Sequence, residues 1–192
     1  MTKGPLIIVS GPSGSGKSTV IARLLAAMAE AGTALHLSVS ATTRLPRPKE
    51  KDGVQYHFWK KEQFDSAVAR GDFLEWADVH GARYGTLRSE VDPYRAAGSG
   101  VLLEIDVQGA AQIRVCYPDQ VSVFLRTSSL EAYEERLRKR GTETEEAMRR
   151  RVAAAKRELA RAGEYDYQVV NDDLDKAVAE LRAIVQQQFA KG

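Results

Sequence analysis

Nine consecutive residues, Gly11-Pro12-Ser13-Gly14-Ser15-Gly16-Lys17-Ser18-Thr19, fit the pattern G-x-x-x-x-G-K-[ST]. Each residue type serves one chemistry. Glycines let successive backbone N–H groups turn inward on a polyphosphate, Lys17 brings a mobile cation to the outer phosphates, and the Ser18 hydroxyl is a hard oxygen suited to Mg²⁺. Such a loop works only between a strand and a helix. The apolar run Leu6-Ile7-Ile8-Val9 precedes it, and Thr19 to Glu30 follows with Val20, Leu24, Ala27 and Met28 at helical spacing. Gly32 stands where a left-handed helix cap is favoured.

A second group of chemistry-bearing residues lies further along. Thr42 to Gly53 holds two prolines and six formal charges without periodicity, so it reads as a loop, and it carries Arg44 and Arg47. That loop follows the alternating strand pattern Leu35 to Val39, and ligands of open α/β sheets gather at the C-terminal ends of strands. His36, within that strand, reads as structural. Glu75 lies among aromatic and aliphatic neighbours in Phe73-Leu74-Glu75-Trp76-Ala77, and Glu104 and Asp106 close the apolar run Val101 to Val107.

Arginines near residues 134–151 sort by pairing. Arg138, Lys139, Arg149 and Arg150 each follow a glutamate by four residues (Glu134, Glu135, Glu145 and Glu146), the arrangement of a solvated helix face. Arg136, Arg140 and Arg151 have no such partner, and Arg136 and Arg140 stack like charges on one face. A bound anion accounts for that repulsion, so these helices read as a lid closing over a polyphosphate.

The elements that must position these groups alternate. Strand patterns at 55–59, 73–77, 83–86, 121–125 and 167–170 are separated by helical ones at 61–70, 87–97, 108–117, 128–140, 144–162 and 174–185. Within 87–97, Asp92 is the expected N-cap with Pro93 at the first helical position. Ser128-Ser129-Leu130-Glu131 reads as a capping box, and His80-Gly81-Ala82 as a turn. The fold class is α/β: a doubly wound, mainly parallel sheet with a small mixed sheet inserted between its crossover units.

A chain of 192 residues suits one such unit. Twenty-eight Lys plus Arg against 26 Asp plus Glu leave a net charge of +2, which gives no general attraction to nucleic acid or membrane surfaces. The single cysteine, Cys116, excludes an internal disulfide and reads as a small core residue. No Cys/His cluster has zinc spacing, and neither a secretory nor a membrane-spanning segment is evident, so a cytoplasmic location is expected. Monomer and homo-oligomer remain equally open.

Taken together, the loop Gly11 to Thr19, Ser38-Val39-Ser40-Ala41-Thr42-Thr43-Arg44-Leu45-Pro46-Arg47-Pro48, Phe73-Leu74-Glu75-Trp76, Tyr84-Gly85-Thr86, Ile105-Asp106-Val107-Gln108-Gly109, Lys139-Arg140-Gly141-Thr142-Glu143 and Val170-Asn171-Asp172-Asp173 resemble the guanylate kinases in residues and order. The resemblance runs from about Leu6 to Ile184. It implies a P-loop kinase core (1–34, 98–126 and 164–192), an inserted GMP-binding part (35–97) and a helical lid (127–163). It implies ATP and GMP, and with them dGMP, as substrates, with Mg²⁺ as cofactor.

By the same resemblance, Arg44, Arg47, Tyr56 and Tyr84 hold the GMP phosphate, and Ser40, Glu75, Thr86 and Asp106 face guanine. Gly11 to Thr19 with Arg136 and Asn171 hold ATP, Asn171 near adenine. Ser18 ligates Mg²⁺, with Glu104 reaching it through water, and Lys17, Arg44, Arg140 and Arg151 carry catalysis. The chemistry agrees: guanine offers N1–H and N2–H₂ donors and an O6 acceptor, which call for carboxylates and a hydroxyl. Glu104 stands where many members have Asp, Arg83 where Tyr is frequent, Lys49 where Gly is frequent, and Arg126-Thr127-Ser128 where a Pro-containing segment is usual. Two rivals fit less well. Scaffold modules of this fold that bind protein partners typically lose the loop lysine, and a P-loop kinase for a substrate without guanine has no use for Glu75 and Asp106.

Overall fold

In the computed structural model, residues 2–79, 81–139 and 145–191 are described. Arg140, Gly141, the helix start at Thr144, the turn residue His80 and the side chains of Lys139 and Glu145 lie outside the described residues.

Strand β1 (Leu6–Ser10) is buried along its whole length because it is the centre of a parallel sheet. Its neighbours are β7 (Gly100–Glu104) on one side and β8 (Val121–Arg126) on the other; β2 (Leu35–Leu37) extends the first side and β9 (Tyr167–Val170) the second. Alternate residues of β1 feed two cores. Ile7 and Val9 pack with α1 (Lys17–Glu30) and α7 (Leu174–Ala190), whereas Leu6 and Ile8 pack with α4 (Val107–Cys116) and Tyr165. Each such buried side chain contributes about 1.5–3 kcal/mol relative to exposure. Helices on both faces of a parallel sheet make the doubly wound arrangement that the alternating pattern predicts.

Between β2 and β7 the chain builds a second, four-stranded sheet in the order β4-β3-β6-β5. Its strands are β3 (Ala41–Thr42), β4 (His57–Phe58), β5 (Phe73–Val79) and β6 (Ala82–Leu87), with α2 (Lys61–Arg70) covering one face. Phe64 and Ala67 of α2, with Phe73, Leu87 and Ala41, form its separate core. The sheet is mixed: β3 runs parallel to β4 and antiparallel to β6. Helices α5 (Leu130–Lys139) and α6 (Glu145–Leu159) pair with each other and lead back to β9.

Helix signals held where they were local. Gly32 adopts φ 68°, its N–H reaches the Ala29 carbonyl at 3.0 Å and that of Thr33 reaches Met28 at 2.9 Å, closing α1. Three expectations differ. Asp92 is the first residue of α3 (Asp92–Ala96), and Val91 takes the N-cap position, because a 3₁₀ turn over Arg88–Glu90 already carries the chain into the helix. The cap of α5 comes from Ser129, whose Oγ accepts from the Ala132 N–H at 3.3 Å; Ser128 is drawn off by its N–H bond to Asp172. Cys116 is exposed, since it ends α4 beside the turn at Tyr117.

Candidate active site

The phosphate loop leaves the C-terminal end of the central strand and enters α1 at Lys17. Gly16 has φ 89°, and a Cβ there would land on the Asn171 amide. Only glycine serves at that point. Asn171 donates from Nδ2 to the Ser15 carbonyl at 2.7 Å, and Arg136 donates to the carbonyls of Asn171 (2.6 Å) and Ser15 (3.4 Å). These two side chains brace the loop from behind. The sequence placed both at the nucleotide, and here both contact the phosphate loop at the Ser15 carbonyl.

Lys17 folds back on its own loop, donating from Nζ to the Gly11 carbonyl at 2.6 Å and the Pro12 carbonyl at 3.1 Å. Ser18 donates from Oγ to Glu104 Oε1 at 2.9 Å, so a hydroxyl and a carboxylate stand together at the mouth of the loop. Among the described residues no group of three His, Cys, Asp or Glu side chains could hold a metal. The Ser18–Glu104 pair still fits Mg²⁺, which takes one or two protein oxygens and completes its shell with water and phosphate.

Facing the loop is the wall made by the mixed sheet and the start of α4. One cleft of about 360 Å³ is lined by both. Ser40, Arg47, Tyr56, Glu75, Tyr84 and Asp106 reach it from the far side, and Lys17, Ser18 and Thr19 from the near side. A register shift between Phe73 and Glu75 brings Glu75 opposite Thr86. The buried Thr86 hydroxyl donates to Glu75 Oε1 at 2.6 Å. Thr86 thus reaches the cleft through Glu75, whose carboxylate it orients.

Glu75 is 5% exposed, and burial raises its pKa to about 7 against the pull of the Thr86 bond, with Asp106 adding to the rise. Gly109 leaves room for it, since a Cβ there would land on Glu75 Oε2. Asp106 caps α4: its Oδ1 accepts from the N–H groups of Gln108 (2.7 Å) and Gly109 (2.9 Å), which fixes the carboxylate at the cleft wall. Burial likewise pushes the Tyr56 phenol up to about 12, so it stays a hydrogen-bond donor.

Arg44 shows what its neighbourhood is built to hold. Its guanidinium forms a two-pronged pair with Glu50, both bonds 3.0 Å, and its Nε donates to the Tyr84 hydroxyl at 3.2 Å. Glu50 also accepts from the Arg47 N–H at 2.7 Å, and the bond from Arg44 holds its carboxyl below the usual range. A planar oxyanion is thus held by one guanidinium and one backbone N–H, and the two-pronged pairing that Arg44 makes with it is one that also suits a phosphate. Sequence reading missed Glu50 because it was one charge among six in a loop.

Arg151 reaches the cleft from α6. Glu158 joins it there; burial raises its pKa, Lys17 opposes that rise and Asp106 adds to it. No motif flags Glu158, because an acidic residue on a charged amphipathic helix is ordinary. Of the predicted surface pairs, Glu146–Arg150 closes at 3.0 Å and Glu134–Arg138 lies at 3.8 Å.

Comparison with known proteins agrees with this geometry. The sequence model of the family described as Guanylate kinase matches residues 3–188. Guanylate kinase of Symbiobacterium thermophilum is 49% identical over 189 residues, covering 98% of this chain and 88% of that protein. The enzyme of Anaeromyxobacter dehalogenans is 51% identical over 184 residues, covering 95% and 80%. The crystal structure of guanylate kinase from Anaplasma phagocytophilum superposes with a TM-score of 0.78 at 30% identity, covering 98% of this chain and 87% of the other. With a phosphate loop on one wall of the cleft and paired carboxylates on the other, and with relatives matched over nearly its whole length, this chain belongs to the guanylate kinase family of phosphotransferases.

Proposed function

We propose that the cleft transfers the terminal phosphoryl group of ATP to GMP, giving ADP and GDP, with the residues of its two walls in separate roles. The observation that carries this reading is a buried carboxylate, Glu75, lining the same cleft as the phosphate-loop Lys17. A polyphosphate and a base with N–H donors can then lie in one site.

Arg44, Arg47, Tyr56 and Tyr84 take the phosphate of GMP, which displaces the Glu50 carboxylate from Arg44. Glu75 and Asp106 accept from guanine N1–H and N2–H₂, Ser40 donates to O6, and Thr86 keeps Glu75 oriented. Adenine would present a lone pair at N1 to Glu75, so it is rejected by a buried mismatch. dGMP keeps every group these residues read. On the other wall, Gly11, Pro12, Ser13, Gly14, Ser15 and Gly16 supply backbone donors to ATP, Lys17 leaves its loop carbonyls for the outer phosphates, and Arg136 and Asn171 hold the loop in shape, with adenine close to Asn171.

Mg²⁺, held by Ser18 and through water by Glu104, would neutralise charge on the ATP phosphates. Phosphoryl transfer asks for alignment and charge neutralisation more than covalent chemistry. Lys17, Arg44, Arg140 and Arg151 supply that, and no general base is required. Residues 127–163 act as a lid that keeps water from the transferring group, over a core formed by 1–34, 98–126 and 164–192 and a GMP-binding part at 35–97. No described helix is long and apolar enough to cross a membrane, and a cytoplasmic location fits ATP and GMP as substrates.

A coupled ADP-release assay with ATP and Mg²⁺, offering GMP, AMP, CMP and UMP in parallel, tests this. Turnover with GMP alone is expected. Equal turnover with AMP would overturn the guanine site, and no turnover despite GMP binding would leave a binding module.

A further inference from the structure

The chain leaves the parallel sheet for the mixed one through residues 38–40 and returns through residues 88–99. One carboxylate joins the two crossings. Glu90, in the 3₁₀ turn before α3, accepts at Oε2 from His36 Nε2 (3.2 Å) and from the Val39 N–H (3.3 Å), and at Oε1 from His57 Nε2 (3.0 Å). His36 therefore has a partner, which the sequence did not reveal. Burial pushes the Glu90 carboxyl up, but the bonds from His57, Val39 and His36 outweigh it and hold the group below its ordinary value. An ionised carboxylate only accepts, so both imidazoles present Nε2–H.

The contacts close into a ring. The His57 N–H donates to the Ser40 carbonyl at 2.9 Å, and His36 is backed by the Tyr94 ring stacked at 3.6 Å. Ser40 follows Val39 and Tyr56 precedes His57, and both line the cleft on the acceptor side. The hydrogen bonds of the ring join residues of 36–57 and Glu90, with none to the phosphate loop among the described residues.

We propose that Glu90 is a positioning residue for the acceptor nucleotide: it touches no substrate, and by gripping Val39 and His57 it fixes the directions of Ser40 and Tyr56. The inference rests on the acceptor-site reading above. A carboxylate is required because two oxygens must serve three donors; glutamine would turn an NH₂ group toward an imidazole N–H and release one crossing. The effect should fall on GMP alone, since the cleft residues next to the ring, Ser40 and Tyr56, both lie on the acceptor side.

Steady-state kinetics of the full chain, varying GMP and ATP in turn, tests this with Glu75→Gln as control. Glu90→Gln should raise KM for GMP about tenfold while KM for ATP stays within about twofold. His57→Ala should match it, whereas His57→Gln, which keeps a donor for Glu90, should stay within about threefold of wild type. The double variant Glu90→Gln/His57→Ala should be no worse than Glu90→Gln alone, because one ring is broken once. Equal rises in both KM values, or an unchanged KM for GMP while Glu75→Gln raises it, would overturn the proposal. If Glu75→Gln also leaves GMP unaffected, the acceptor-site reading falls and this inference with it. Should Glu90→Gln fail to fold, the His57 pair decides: equal KM for GMP in His57→Ala and His57→Gln overturns it.

Discussion

The two walls of the cleft hold their charges in opposite ways. On the phosphate-loop wall the loop backbone is braced at Ser15 by Asn171 and Arg136, and Lys17 rests on the carbonyls of its own loop. On the acceptor wall the groups are side chains from distant segments, and the Arg44 guanidinium is paired with the Glu50 carboxylate. A polyphosphate is recognised by charge and shape, which nine consecutive residues can supply. A base and a single phosphate must be recognised by edges and angles, which need residues from several strands. The first wall therefore arrives nearly finished, and the second is held in place by a network that a ligand must partly replace.

The largest test removes the cation on the loop wall. Lys17→Ala should lower kcat about a thousandfold while GMP still binds with near-normal affinity by calorimetry. Normal turnover would end the division of labour between the walls. On the other side, Glu75→Gln should raise KM for GMP about a hundredfold and leave KM for ATP within about threefold. Equal loss for both nucleotides would make Glu75 a structural residue.

The same carboxylate predicts a pH dependence. Its folded pKa of about 7 lies above that of an unfolded glutamate, so its contribution to stability is full at low pH and is lost as pH rises through about 7. Guanine needs the ionised form. KM for GMP should therefore climb as pH falls below about 7, KM for ATP should not, and Glu75→Gln should abolish the slope.

A smaller effect belongs to the brace. Asn171→Ala should raise KM for ATP about fivefold with little change for GMP, by loss of one buried hydrogen bond to Ser15. If GMP suffers equally, the walls are coupled more tightly than their contacts show. The smallest concerns the acceptor loop itself. Lys49 has φ 75°, in the left-handed region that favours glycine, so Lys49→Gly should stabilise the protein by up to about 1 kcal/mol in thermal unfolding. A destabilised variant would show that the loop is held by the lysine side chain.

What could be read without the structure divides along the same line. The phosphate loop, the strand before it, the helix after it and the left-handed Gly32 were legible because each depends on residues within one turn or strand of one another. The parallel sheet followed from alternation and from the unbroken apolar runs at Leu6 to Val9 and Val101 to Val107. Resemblance supplied the acceptor residues. It could not show that Thr86 spends its hydroxyl on Glu75, or that Arg136 and Asn171 serve the loop backbone.

Those assignments, with the Arg44–Glu50 pair, the exposed Cys116 and the Glu90 ring, were decided only when the chain was folded. Glu50 pairs with Arg44 and the Arg47 N–H inside one loop, whereas Glu90 joins histidines 54 and 33 residues away. Local spacing encodes which backbone a segment adopts. Which acceptor a hydroxyl or guanidinium chooses depends on every oxygen within about 3 Å of it, and for Thr86, Arg136 and Asn171 those oxygens belong to other parts of the chain.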